Sequence, residues 1–247
     1  AVEHPAVLEC FKALEADGFD VVYIGVDKKC RLDMEQLEAA VNSDTILVSV
    51  MHVNNETGTI MPIQEISSIL KKNAPEALLH CDAVQSFGKL PMPVCADLLS
   101  VSGHKIHGPK GSGAIFIRKG VNLPPLILGG GQEEGRRSGT QNVPAIAGLG
   151  LAAEMAAEDR SGRMAELAEI RNSLMEGLKT ALDDIVINSP EQTGEAAGEC
   201  CGTLLNVSFM GTRGEVLLHT LEQDGIYVST GSACSSNKKG RSHVLSA

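Results

Sequence analysis

Lys105 lies in the string Ser102-Gly103-His104-Lys105, and Asp82 lies in His80-Cys81-Asp82-Ala83-Val84-Gln85. A lysine amine condenses with an aldehyde, and a carboxylate set against a heteroaromatic ring keeps the ring nitrogen protonated. Ser102, His104 and Thr140, with the glycines around them, add the hydroxyl, imidazole and backbone donors that a phosphate takes. One group needs all three at once, and it is pyridoxal 5'-phosphate. Period-two geometry on a strand would turn His80 and Asp82 to one face, so both could approach the same ring.

Each residue taken singly has a plainer reading. Asp82 could cap the next helix, and Lys105 could be a surface lysine between glycine-rich turns. Asn54-Asn55-Glu56-Thr57-Gly58 could be only a turn, since Asn and Gly tolerate positive φ. Cys234 could be an ordinary thiol, although the Gly/Ser-rich loop Gly231-Ser232-Ala233-Cys234-Ser235-Ser236 is an unusual place for a residue that prefers burial. Cys200, Cys201 and the remaining histidines read as structural.

Positioning these residues takes alternating strands and helices. Short β-branched runs at Val21–Val26, Ile46–His52, Ala77–Ala83, Leu98–Gly103 and Gly113–Arg118 predict strands. Pro5–Ala16, Asp33–Val41 and Pro62–Asn73 carry apolar residues at three- and four-residue spacing and predict helices. The alternation implies an α/β fold with a mostly parallel sheet, where ligands gather at the carboxyl ends of strands. Pro144 to Asp184 reads as two helices broken near Ser161-Gly162. A second α/β unit follows, with strands at Thr203–Met210 and Ile226–Thr230 and a helix at Glu215–Gln223. The expected division is a large domain over 1–147 and a smaller one over 148–247.

Bulk composition narrows the classes. With 247 residues, 43% of them apolar, the chain can fill a core. A net charge of -10 argues against a nucleic-acid partner, and the run Lys238, Lys239, Arg241 is too short to reverse it. Seven cysteines at irregular spacing, with no CxxC pair, suit a reducing cytoplasm rather than disulfides or zinc. No apolar run approaches the ~20 residues of a membrane span. The sequence opens at Ala1-Val2-Glu3 and stops at Ala247 inside an apparent helix, and is therefore read as a fragment.

Five strings, in order, resemble the NifS-like cysteine desulfurases. They are His52-Val53-Asn54-Asn55-Glu56-Thr57-Gly58-Thr59; His80 through Ser86; Ser102 through Gly111; Gly129-Gly130-Gly131-Gln132-Glu133 through Arg137-Ser138-Gly139-Thr140; and Ser232-Ala233-Cys234-Ser235-Ser236. The resemblance implies a fold-type-I pyridoxal-phosphate enzyme, a cytoplasmic homodimer that converts L-cysteine to L-alanine and hands the sulfur to an acceptor such as an iron–sulfur scaffold protein. It implies Lys105 for the aldehyde, Asp82 for the ring nitrogen, Gln85 for the ring hydroxyl, and Ser102 and His104 for the phosphate. It also implies Thr140 for the phosphate of the neighbouring subunit, His4 for ring stacking, Asn55 for cofactor and substrate, and Cys234 as the nucleophile that becomes a persulfide. The family's earlier phosphate-binding turn and its later carboxylate-binding arginine have no counterpart here. Alternatives are a selenocysteine lyase or cystathionine-type lyase on the same scaffold, or an inactive sulfur-carrier module.

Overall fold

A computed structural model describes residues 1–191, 198–230 and 242–247. They form two compact units, one of Ala1–Asn42, Met51–Pro62 and Ser161–Ala247, the other of Ser43–Val50 and Ile63–Arg160. The grouping follows contacts rather than chain order.

The second unit holds a four-stranded sheet in the order β1 (Leu47–Met51, of which Leu47–Val50 lie in this unit), β2 (Leu78–Asp82), β3 (Leu98–Ser102), β4 (Gly113–Ile117). Strands β2 and β3 run parallel with Asp82 opposite Ser100, and β4 returns antiparallel with Gly113 opposite Ser102. Alternation along β2 sends Leu79 and Cys81 into the core, 2% and 0% exposed, and leaves His80 and Asp82 on the other face. Helix α3 (Ile63–Asn73) crosses between β1 and β2. Its buried residues Ile63, Ile66, Ser67 and Leu70 fall at i, i+3, i+4 and i+7, and Lys71 and Lys72 occupy its last turn, where cations suit the helix dipole. Helix α4 (Val143–Ala157) starts at Asn142, whose side chain accepts from Ala145 N, with Pro144 in the first turn.

The first unit contains α1 (Pro5–Ala16), α2 (Met34–Ala40), α5 (Arg160–Ala181, from Ser161 on), the antiparallel pair β5 (Ile185–Ile187) and β6 (Val207–Phe209), α6 (Gly214–Gln223) and α7 (His243–Ser246). His4 caps α1, its Nδ1 accepting from Ala6 N, and Asp33 caps α2. Val53, Met61, Cys200 and Cys201 are 1–3% exposed and mark this unit's core.

Four expectations need correction. Val21–Val26 is not a strand: among the described residues it has only the bridge Val26 to Leu32, and a β-branched run without a neighbour paired along its length stays irregular. Thr203–Met210 shortens to β6, whose partner β5 the sequence reading missed. Ile226–Thr230 is not in a strand. The helix break falls at Glu158-Asp159 rather than Ser161-Gly162: Glu158 is extended and Asp159 has φ 42°, a conformation Asp adopts more readily than most residues, while Ser161-Gly162 sits inside the first turn of α5.

Candidate active site

Asp82 and the lysine turn leave the same edge of the second unit's sheet, because β2 and β3 are parallel neighbours. Ala83 N donates to Ser100 O at 2.9 Å, which carries the ladder past Asp82. Asp82 Oδ1 accepts from Val84 N at 3.0 Å. The capping reading therefore holds for one oxygen, though for a turn and not a helix, while no hydrogen bond to the other occurs among the described residues. His80 does not reach outward. Its Nδ1 is hydrogen bonded to Ser49 Oγ at 2.7 Å and its Nε2 to Ser100 Oγ at 2.9 Å, so the ring ties β1, β2 and β3 together. Burial pushes the His80 pKa down, against the opposing pull of Asp82. Gln85 is half-buried, its Oε1 accepting from Lys89 Nζ at 3.4 Å.

Lys105 sits in a single 3-10 turn, Gly103–Ile106, inside the connection from β3 to β4. Gly103 N donates to Ser112 O, and Gly103 O accepts from Gly108 N and from the backbone N of His107, a left-handed residue at φ 64°. A Cβ on Gly103 would stand 2.5 Å from Ser112 Oγ, so close approach demands the glycine there. Lys105 is half-buried and makes no hydrogen bond or ion pair with the described residues. Ser102 Oγ and His104 Nδ1 are paired at 2.7 Å, leaving the ring's other nitrogen free beside the turn. Thr140 is exposed and follows Gly139, whose N donates to Gln132 Oε1.

His4 and Asn55 belong to the first unit. Asn55 is half-buried in a turn organised by its neighbour Asn54, which is 0% exposed. Asn54 Oδ1 accepts from Glu56 N at 2.9 Å, Thr57 N at 3.0 Å and Thr57 Oγ1 at 3.2 Å, and its Nδ2 donates to Val2 O at 3.2 Å. The turn reading of this string is thus right for Asn54. The sequence reading had the turn but not the part of Asn54 in organising it, an Asx turn whose side chain accepts from the backbone two residues on. His52, read as structural, is buried, its Nδ1 has no hydrogen bond among the described residues, and desolvation lowers its pKa. Cys234 lies outside the described residues.

The chemistry of the donor set fits pyridoxal phosphate: an uncommitted half-buried amine, a carboxylate with one oxygen to spare, and a paired hydroxyl and imidazole beside a turn. A cavity of about 380 Å³ at the opposite edge, lined by Lys71, Cys95, Asp97 and Arg118 among others, is a poorer candidate. Its guanidinium is already bound to Asp97 and to the carbonyls of Val94 and Ala96. Among the described residues no cluster could hold a metal ion and no helix is long and apolar enough to cross a membrane.

The Aminotransferase class-V family matches residues 1–245. A cysteine desulfurase of Nostoc sp. is 43% identical across the whole chain, which covers 60% of that protein. A cysteine desulfurase IscS of Methanosarcina thermophila is 45% identical over 100% of the chain and 60% of its own length. A solved structure described as a NifS-like protein superposes at a TM-score of 0.88, with 44% identity, over 99% of this chain and 63% of that one. The chain therefore spans 60% of the length of these curated relatives.

Proposed function

Because the chain belongs to the Aminotransferase class-V family, whose fold-type-I α/β architecture it shares, we propose that the protein is a pyridoxal-phosphate-dependent cysteine desulfurase. It takes sulfur from L-cysteine, releases L-alanine, and carries the sulfur as a persulfide on Cys234 to an acceptor protein such as an iron–sulfur scaffold or a transfer-RNA thiolation partner. The observation that carries this reading is the emergence of Asp82 and the Lys105 turn from one edge of two parallel strands, with the lysine amine uncommitted. The sequence relatives support it.

When bound, pyridoxal phosphate supplies the electron sink that makes bonds around the amino acid's carbons labile. Lys105 Nζ would hold the aldehyde and, when not so engaged, could move protons. Asp82 would hold the proton at the ring nitrogen and Gln85 would bond the ring hydroxyl. Ser102 and His104 would bind phosphate, and Thr140 would serve the phosphate of the second subunit in a homodimer. His4 is assigned to the ring face and Asn55 to the cofactor and substrate. The Cys234 thiolate attacks the substrate sulfur: an S–S bond forms, the C–S bond breaks with its electron pair left on carbon, and that carbon takes a proton to become the methyl of alanine. Cysteine and thiol thus give alanine and persulfide with no outside oxidant. We place the enzyme in the cytoplasm.

The test is Lys105→Ala in the full-length protein with pyridoxal phosphate. The visible absorbance and the alanine release should vanish, and borohydride treatment of the unmutated protein should leave the cofactor mass on Lys105. A surviving visible band would move the assignment to Lys110. Selenide release from selenocysteine in excess of persulfide from cysteine would favour a selenocysteine lyase instead.

A further inference from the structure

His80 is held on both sides. Its Nδ1 lies 2.7 Å from Ser49 Oγ on β1 and its Nε2 lies 2.9 Å from Ser100 Oγ on β3, and all three residues are half-buried within one unit. Burial outweighs the pull of Asp82 and lowers the pKa of the ring, so at neutral pH it is uncharged. An uncharged imidazole carries one N–H, donating through one nitrogen and accepting through the other. One serine must then donate to the ring while the other accepts from it. The three groups form a directional bridge across β1, β2 and β3, and its direction decides which serine keeps a hydrogen to give elsewhere.

Asp82 sets that direction. It follows His80 by two residues on β2, on the same face, and its Cα partner on β3 is Ser100 itself. Paired strands run about 4.8 Å apart, so Ser100 is the member of the bridge set against the carboxylate. One oxygen of Asp82 accepts from Val84 N, and the other has no hydrogen bond among the described residues. Ser100 Oγ has none there besides its bond to His80. A carboxylate draws hydrogens toward itself. It favours the order in which Ser49 Oγ donates to Nδ1 and Nε2–H donates to Ser100 Oγ, because only that order leaves the Ser100 hydroxyl hydrogen to turn toward Asp82.

Resting on the reading of Asp82 as the group that holds the ring proton, we infer that His80 is a positioning residue for that carboxylate, acting through Ser100. Its ring fixes the Ser100 oxygen and orders the hydroxyl, so that a dipole faces Asp82 and steadies its ionised form. His80 itself touches neither cofactor nor substrate in this role. The ionised carboxylate is the form that pairs with a protonated ring nitrogen. Glutamine at position 80 can keep the direction of the bridge, its amide oxygen accepting from Ser49 and its amide nitrogen donating to Ser100. Phenylalanine fills the space and bridges nothing.

The experiment has two arms, both on the full-length protein. Nitrogen-15 NMR of the cofactor-free protein reads the His80 tautomer directly. Nε2–H should exceed Nδ1–H by at least about ten-fold, as a hydrogen bond steered by a charged group warrants, and Asp82→Asn should cut that ratio at least about three-fold. A dominant Nδ1–H form, or a ratio that Asp82→Asn does not move, would overturn the inference. In the second arm, with pyridoxal phosphate bound, His80→Phe should slow alanine release at saturating L-cysteine about ten-fold with KM within about two-fold, and His80→Gln should restore most of the rate. In an Asp82→Asn background, His80→Phe should cost nothing further. Equal losses in both backgrounds, or no rescue by His80→Gln, would reduce His80 to a tie between strands and sink the inference. Near-normal alanine release in Asp82→Asn alone would overturn the premise about Asp82, and no alanine release from the unmutated protein would overturn the desulfurase reading, whereas the tautomer arm judges the bridge in either case.

Discussion

Replacing Asn54 by alanine strips one buried turn of the acceptor that organises it. Glu56 N and Thr57 N both donate to Asn54 Oδ1, in residues 8% and 2% exposed. Each would be left without an acceptor in a place water reaches poorly. The Thr57 hydroxyl keeps Thr59 Oγ1 at 2.8 Å and adds little to the loss. A buried donor left unmade costs about 1–3 kcal/mol, and two of them give about 2–6 kcal/mol. Water entering the space vacated by the amide recovers some of this, so about 3 kcal/mol is the expected loss, large for a point substitution. At a urea m-value of about 2 kcal/mol per molar, the unfolding midpoint should fall by about 1.5 M. Asn54→Asp keeps an acceptor oxygen for both donors, loses the bond to Val2 O and adds a charge, so it should fall between. Urea titrations of the three proteins followed by circular dichroism measure this. A loss below about 1 kcal/mol in Asn54→Ala, or an aspartate variant no better than alanine, would refute the claim that the side chain's acceptor holds the turn.

Asp82→Asn should retain part of the cofactor's visible band yet lose at least about a hundred-fold in alanine release, because an amide cannot hold the ring proton; near-normal turnover would remove Asp82 from its assigned role. Gly103→Ala forces a Cβ to within 2.5 Å of Ser112 Oγ, so the Lys105 turn should shift and the visible band weaken, while Gly103→Ala combined with Ser112→Gly should recover it. His52 and His80 are held by burial below their ordinary pKa of 6.5. As pH falls below that value the unfolded chain takes protons that these folded rings refuse, so their contribution is whole above pH 6.5 and declines below it. Urea midpoints measured between about pH 7.5 and 5.5 should fall on acidification, and His80→Gln should flatten the fall.

The residues that carry chemistry were readable because their types recur at strand ends: Asp82 closes β2, and the Ser102–Lys105 string follows β3. What the sequence hides is partnership. Val21–Val26 has the composition of a strand but, among the described residues, only the single bridge Val26 to Leu32, whereas Ile185–Ile187 is only three residues long and becomes a strand because Val207–Phe209 lies beside it. His80 looked as available as Asp82, since periodicity gives a face and not a partner. Ser49 and Ser100, on the flanking strands, decide that its ring is spent within the sheet. The Glu56 to Ser242 bond joins positions 186 residues apart, beyond the reach of any local pattern.

That separation bears on the order in which the two turns can be completed. Lys105 is enclosed by a hairpin whose paired residues, Leu98 with Ile117 and Ser102 with Gly113, are close in the chain. Such a unit pays little loop-closure entropy and can close as soon as it leaves the ribosome. The turn presenting Asn55 needs Val2 from 52 residues before Asn54 and Ser242 from 186 residues after Glu56, and its neighbour Glu3 meets His243 across 240. Contacts of that span slow folding, and the last of them cannot form until residue 243 has been synthesised. During translation the lysine is therefore set in its turn while the clamps around Asn55 are still missing.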